Sequence, residues 1–252
     1  MKVSVLASGS KGNSTYIECN NTKILVDIGM PSSYIIQKLA EINVSPKEID
    51  AIIITHTHID HIYGLASFCR RYNPKIYLTK SMQEEINITS NIQYIDASTI
   101  TINNLIIEII PTSHDTSESI GFIIKAQQKE LVYITDTGYI NRNYLVKLKD
   151  KDMYVFESNH DIEKLMTGKY PYHLKQRILG DAGHLSNEDA SRYLSKLVGG
   201  RTKGIILIHL SEENNTELIA LDTLKKSLNK ENKTVDTILI SKQKERTELI
   251  EV

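Results

Sequence analysis

A continuous β-branched run, IDAIIIT at 49–55, ends directly on THTHIDHIYG, which spaces His56, His58 and Asp60 two residues apart and sets His61 beside the carboxylate. Such a run reads as a strand buried on both faces. Spacing by two places alternate side chains on one face of an extended segment, while the adjacent pair Asp60 and His61 can address a second point. Imidazole and carboxylate suit zinc, manganese or iron, and a hydrolytic centre keeps positions open for water. Four such groups in one short segment require further ligands, and only the fold can deliver them.

The remaining candidates stand where other predicted strands end. His114 follows LIIEIIPTS, Asp136 follows LVYIT and His209 follows GIILI. Two ions about 3.5–4 Å apart clamp the attacking and leaving oxygens of an in-line displacement, and they need this many donors. The expectation is two divalent ions held by His56, His58, Asp60, His61, His114, Asp136 and His209. A lone strand-end histidine carries little meaning, but five of the chain's eight histidines fall in this pattern.

The rest of the chain alternates in an α/β manner. VSVLA, STYIE and KILVDI read as successive antiparallel strands, and SSYIIQKLAEI as a helix between Pro31 and Pro46. After the histidines come a helix to about Tyr72, strand KIYL, a helix near 81–88, and strands near 92–95 and 105–110. The second half repeats the theme: a GFIIKA/ELVYIT hairpin, strand MYVFE, helices within 161–179 and 187–198, strand GIILIHL, and a helix at 217–228. TVDTILIS and RTELIEV read as edge strands. No internal sequence repeat or low-complexity tract is visible, and disorder is expected nowhere except near 229–234.

Composition excludes several classes. With 40% hydrophobic and 24% charged residues the 252-residue chain reads as one soluble globular domain. No apolar run reaches the roughly 18 residues of a membrane span, and MKVSVLAS lacks the apolar core of a secretory signal, so a cytoplasmic protein with no membrane partner is expected. Cys19 and Cys69 lie far apart without paired spacing and are read as buried free thiols. The formal charge of −1 argues against a strongly basic nucleic-acid binder, but two divalent ions would make one cleft positive and permit an anionic substrate.

This pattern resembles the metallo-β-lactamase superfamily across nearly the whole chain. The resemblance implies a four-layered αββα sandwich in a single domain. It places His56, His58 and His114 on a first metal and Asp60, His61 and His209 on a second. Asp136 bridges them, and a hydroxide between the ions is the nucleophile. Asp60 counts among the catalytic residues as well as the ligands, and Asp27 in LVDIG takes the place of a carboxylate that orients the ligand loop.

VFESNHD at 155–161 and GDAGHLSNEDA at 180–190 look like segments of tRNA 3′-processing nucleases, which implies His184 as general acid and Glu157 as its partner. The match narrows further. SVLASGSKGNS, THTHIDHIYGL, ITDTGY, FESNHD, GKYPYHLKQRILGDAGHLSNEDA and HLSEENN together resemble the bacterial YycJ/WalJ family from end to end. That resemblance implies a 5′-to-3′ double-stranded DNA exonuclease, with mismatch-repair or cell-wall regulatory partners.

No aromatic-rich basic stretch is present, and Asp136 and His209 are only 73 positions apart, too close for the inserted domain of β-CASP nucleases. Substrate contacts are therefore expected from short loops: Ser10 and Asn13 in SGSKGNS, His160, and basic residues among Arg70, Arg71, Lys169, Lys175 and Arg177. Two alternatives remain. One is a small-molecule phosphodiesterase or thioester hydrolase. The other is a non-catalytic metal-binding component of a repair or cell-wall regulatory complex, against which a complete ligand set speaks.

Overall fold

Side-chain alternation along the central strands decides the layering. In Met153–Glu157, Met153 and Val155 enter one apolar cluster while Tyr154 and Phe156 enter another. Gly204–Ile208 divides the same way, with Ile206 and Ile208 on one side and Ile205 and Leu207 on the other. Successive strand side chains point to opposite faces, so a strand that is apolar throughout must be covered on both. The computed structural model describes residues 1–89 and 91–252, and it meets that demand with two facing sheets and helices outside each.

The first half runs β1 (Lys2–Ala7), β2 (Ser14–Cys19), β3 (Thr22–Val26), α1 (Ser32–Ala40), β4 (Ala51–Ile53), α2 (Ile59–Ile62), α3 (Leu65–Tyr72), β5 (Lys75–Leu78), α4 (Lys80–Glu85) and β6 (Ile92–Tyr94). Strands β1 to β3 form an antiparallel meander, and β4, β5 and β6 add in parallel through helical crossovers. The second half repeats this plan with β7 (Thr99–Ile102), β8 (Leu105–Pro111), β9 (Ile120–Ala126), β10 (Lys129–Ile134), α5 (Arg142–Leu148), β11 (Met153–Glu157), α6 (Ile162–Thr167), α7 (Tyr172–Leu179), α8 (Asn187–Leu197), β12 (Gly204–Ile208), α9 (Glu217–Lys230) and β13 (Thr237–Ile240). Here β7 to β10 are the antiparallel meander and β11, β12 and β13 the parallel set. Finally β14 (Ile250–Glu251) returns to pair with β1.

The core between the sheets takes Ile24 and Ile53 from one and Phe122 and Tyr133 from the other, and it extends outward to Ile35 of α1, Phe68 of α3 and Met82 of α4. The outer face of the second sheet packs on Leu148 of α5, Leu194 of α8 and Leu224 of α9. Burying each such side chain contributes about 1.5–3 kcal/mol. Helix starts are marked by capping side chains: Asp161 for α6, Ser186 for α8 and Thr216 for α9 each accept from a backbone N–H of the first turn. Among the described residues no helix is long and apolar enough to cross a membrane.

Four local expectations change. β7 was not anticipated, although Thr99 to Ile102 alternate and Asn103, at φ 51°, makes the turn into β8. The third strand stops at Val26 because Asp27 adopts φ 61°, and RTELIEV contributes only Ile250 and Glu251 to pairing. Residues 229–234 are ordered: α9 continues to Lys230, and Lys233 Nζ donates to Ser195 O and Val198 O at the end of α8.

The turn after β3 carries the segment on which the histidines sit. Ile28 N donates to His61 O, Gly29 N to Asn13 O, and Asn13 N to Asp60 O, all at 2.7–2.8 Å. A Cβ on Gly29 would stand 1.6 Å from Asp60 O, so only glycine permits this backbone approach. Gly29→Ala is expected to destabilise the fold by about 1–3 kcal/mol and to loosen the Asp60–His61 segment. Denaturant unfolding with and without added metal measures both effects.

Candidate metal centre

Strand ends deliver the site. β3 runs into Asp27, β4 into His56 to His61, β10 into Asp136, β11 into Glu157 and β12 into His209, while the segment after β8 carries His114. In a parallel set the carboxyl ends open on one edge, where crevices form. Asp27, Asp136 and His209 have φ of 61°, 44° and 58°. A left-handed residue that is not glycine is uncommon, and its cost is borne here where three strands must turn at once. Backbone bonds fasten the two sheets at this edge: Ile120 N donates to Thr55 O at 3.0 Å, and His209 N donates to Ser8 Oγ at 2.7 Å.

The donor atoms of His56, His58 and His114 lie within 4.8 Å of one another, as do those of Asp60, His61 and His209. His58 turns Nδ1 inward, 3.3 Å from His114 Nε2. Asp136 stands between the groups. Its Oδ2 is 3.2 Å from His61 Nε2 and its Oδ1 4.0 Å from His114 Nε2.

Outside the donors a second ring of groups holds the imidazoles. Asp27 Oδ2 lies 2.7 Å from His61 Nδ1, Gly183 O accepts from His114 Nδ1 at 3.1 Å, and Glu157 Oε1 lies 3.1 Å from His209 Nδ1. His56 Nδ1 meets Thr55 Oγ1 at 3.1 Å, and that hydroxyl in turn donates to Asp27 Oδ2 at 2.7 Å. A proton on Nδ1 satisfies each contact and leaves Nε2 bare. His56 Nε2 and His209 Nε2 are buried and have no hydrogen-bond partner among the described residues. Buried polar atoms are rarely left so. Bare imidazole nitrogens facing carboxylates are the donor chemistry of a divalent metal site, and these residues fit one.

The electrostatics agree. Burial alone would raise the Asp136 carboxyl, but positive charge on His209 and His61 outweighs it and holds Asp136 well below the carboxylate range. Burial alone would lower His209, yet Asp136, Asp60 and Glu157 push it up to about 10. His61 is likewise driven well above the usual histidine range: burial opposes the shift, and Asp27 and Asp136 overcome it. His56 goes the other way, held down by burial and by the neighbouring imidazoles. Protons on His61 and His209 thus stand where cations would.

Glu157 and His184 form the adjoining pair. Glu157 is fully buried, its Oε2 accepting from Thr137 N at 3.0 Å and Leu185 N at 3.2 Å, while Oε1 lies 2.7 Å from His184 Nδ1. One carboxylate therefore holds both His184 and His209. A cleft of about 280 Å³ opens over the centre, lined on the metal side by His58, Asp60, His114, Asp136, His184 and His209.

Of the residues expected to touch substrate, Ser10 and Arg177 line this cleft. The others do not. Lys175 is buried and donates from Nζ to Met166 O and Gly168 O at the end of α6, so its ammonium caps a helix. Asn13 is buried, its Oδ1 accepting from Gly9 N and its Nδ2 reaching Asp60 Oδ2 at 3.3 Å and His61 Nε2 at 3.0 Å; it braces the donors. His160 is buried too, its Nδ1 3.3 Å from Asn159 Oδ1, and burial pushes it down to about 4. Arg70, Arg71 and Lys169 lie outside the cleft lining.

Residues that went unnoticed in the sequence are Thr55, Ser8, Asn159 and Asp115. Asn159 lines the cleft and donates from Nδ2 to His209 O at 2.9 Å. Asp115 places Oδ1 3.4 Å from His114 Nε2 and accepts from Arg177 Nε. Thr55 and Asp115 adjoin the donors His56 and His114 in the chain, and that adjacency was the available signal; Ser8 and Asn159 reach His209 only through the fold.

Metal uptake near neutral pH must displace the protons on His61 and His209, so apparent affinity is expected to rise with pH. Calorimetric titration of metal-free protein in two buffers of different ionisation enthalpy reads the proton release; heat that is independent of the buffer would contradict this arrangement.

Comparison with known proteins agrees with this geometry. The Beta-lactamase superfamily domain matches residues 22–210. Exodeoxyribonuclease WalJ of Streptococcus pneumoniae serotype 2 is 40% identical over 232 residues, covering 88% of this chain and 86% of the relative. Exodeoxyribonuclease YycJ of Bacillus anthracis is 37% identical over 226 residues, covering 86% and 85%. Among solved structures, the metallo-beta-lactamase fold protein YhfI from Bacillus subtilis superposes with a TM-score of 0.73 over 98% of both chains at 17% identity, a likeness of fold. With its two mixed sheets, its strand-end donors and these relatives, the chain belongs to the WalJ/YycJ family of the beta-lactamase superfamily.

Proposed function

We propose that this chain is a metal-dependent exonuclease that degrades duplex DNA from 5′ ends. The observation that carries the reading is the pairing of His184 with buried Glu157 at 2.7 Å, set at the rim of a seven-donor cradle. Relatives of this length and identity that are named exodeoxyribonucleases support the same reading. Attack on a phosphodiester leaves an alkoxide that must gain a proton, and a rim histidine held by a carboxylate meets that need.

In this reading His56, His58 and His114 would hold one divalent ion and Asp60, His61 and His209 a second, and the Asp136 carboxylate, near both groups, would serve either. When bound, the ions supply Lewis acidity toward the phosphoryl oxygens and make water a nucleophile at neutral pH. The chain's own part is to hold these groups still. Asp27, Thr55, Gly183 and Glu157 fix the rings, so little reorganisation is left for the reaction itself.

His184 is the proton donor. Its Nδ1–H stays on Glu157, whose carboxyl lies below the usual range because His184 and His209 outweigh the effect of burial, so the acceptor is ionised at neutral pH. Nε2 is the nitrogen left for the leaving oxygen. Arg177 and Ser10 complete the cleft on the substrate side, and contacts of this kind position a phosphate without reading sequence.

His58→Ala and Asp136→Ala are expected to lose metal and activity together. His184→Ala is expected to keep its metal by elemental analysis while turnover on end-labelled duplex DNA falls about 10²–10⁴-fold. Metal-replete His184→Ala with unimpaired turnover would refute the acid assignment. Duplex left intact by the wild type with zinc, manganese and iron supplied separately would refute the nuclease reading.

A further inference from the structure

Helix α7 is built the wrong way round for a structural helix. Its only buried side chain is Lys175, whose ammonium caps α6, while Tyr172 and Leu179 are exposed and Leu174 and Ile178 are only partly covered. A surface helix ordinarily turns its apolar stripe to the core. Here Leu174 and Ile178, one turn apart, face the cleft instead, and Tyr170 just before the helix continues the same wall. Arg177 joins them on that wall.

The cleft therefore has two unlike sides. One is the metal cradle; the other is aromatic and aliphatic and ends in a guanidinium. Arg177 is bound to Asp115, which also stands 3.4 Å from His114 Nε2, so the arginine is held at the metal edge by a partner that an arriving phosphate can replace. An apolar wall beside a cationic edge matches a nucleotide, with the base on the wall and the phosphate at the edge. A cleft of about 280 Å³ between the metal side and α7 lies below the range usual for drug-sized ligands and is sized for a ligand as small as one nucleotide.

We infer that the cleft is a subsite for one unpaired terminal nucleotide, with its base on Tyr170, Leu174 and Ile178 and its phosphate between Arg177 and the metal edge. The inference rests on the nuclease reading and adds a condition to it: the strand end must leave its partner before cleavage. Stacking on an aromatic ring tolerates any base, so the subsite admits ends of any sequence. A duplex whose terminal pair is mismatched is cut faster than its matched counterpart, because less unpairing is needed.

The test measures dAMP and inorganic phosphate as inhibitors of bis-p-nitrophenyl phosphate hydrolysis, alongside KM and kcat on matched and end-mismatched duplexes. Tyr170→Ala is expected to weaken dAMP inhibition about ten-fold and leave inhibition by phosphate unchanged, with Tyr170→Phe close to wild type. Arg177→Ala is expected to weaken both inhibitors, and KM on DNA should rise in both alanine variants. Equal dAMP inhibition in wild type and Tyr170→Ala overturns the subsite, as does equal cutting of matched and mismatched ends. Wild type that is inhibited by dAMP through Tyr170 yet spares all DNA keeps the nucleotide subsite and removes the nuclease reading.

Discussion

Four carboxylates gathered at one strand edge cannot remain there without positive charge, and the rest of the structure follows from that. Asp27, Asp136 and Glu157 are buried and Asp60 partly so, in the one region where both sheets run out. An uncompensated buried charge is among the most costly features a protein can carry. The five imidazoles around them answer it in two ways. Protonated His61 and His209 balance the charge in metal-free protein, and the buried, unpartnered Nε2 of neutral His56 awaits a cation. The same carboxylates thus make the centre stable without metal and receptive to it.

Holding those groups in register is the task of the sandwich. Each half is an antiparallel meander followed by three parallel strands, and the parallel strands aim their ends at the same edge. Short cross-links then fix one half against the other. His209 N reaches Ser8 Oγ and Ile120 N reaches Thr55 O, while within the first half Asn13 reaches Asp60 and His61. None of these side chains needs to touch substrate to matter, because a small error in donor position is costly in a metal site.

The two sides of the cleft differ in how firmly they are built. The metal side is braced by backbone and carboxylate bonds, whereas α7 buries only Lys175 and turns Leu174 and Ile178 to the cleft. In the proposed reading the braced side carries the chemistry and the α7 wall selects the substrate.

Much of this was written in the chain itself. Period-two alternation and β-branched runs marked the central strands, and His-x-His-x-Asp-His with lone donors at strand ends marked the centre, because both signals are local and repeat at the spacing of the backbone. Tertiary structure alone decided what lay beyond. Lys175, Asn13 and His160 read as substrate contacts by residue type, but each is turned inward, onto a helix end, a donor pair and a buried amide. Ser8, Asn159 and the apolar wall of α7 gained their meaning only from neighbours distant in sequence. Residue type determines which bonds a side chain can form, and the direction in which the fold points it determines which of them it makes.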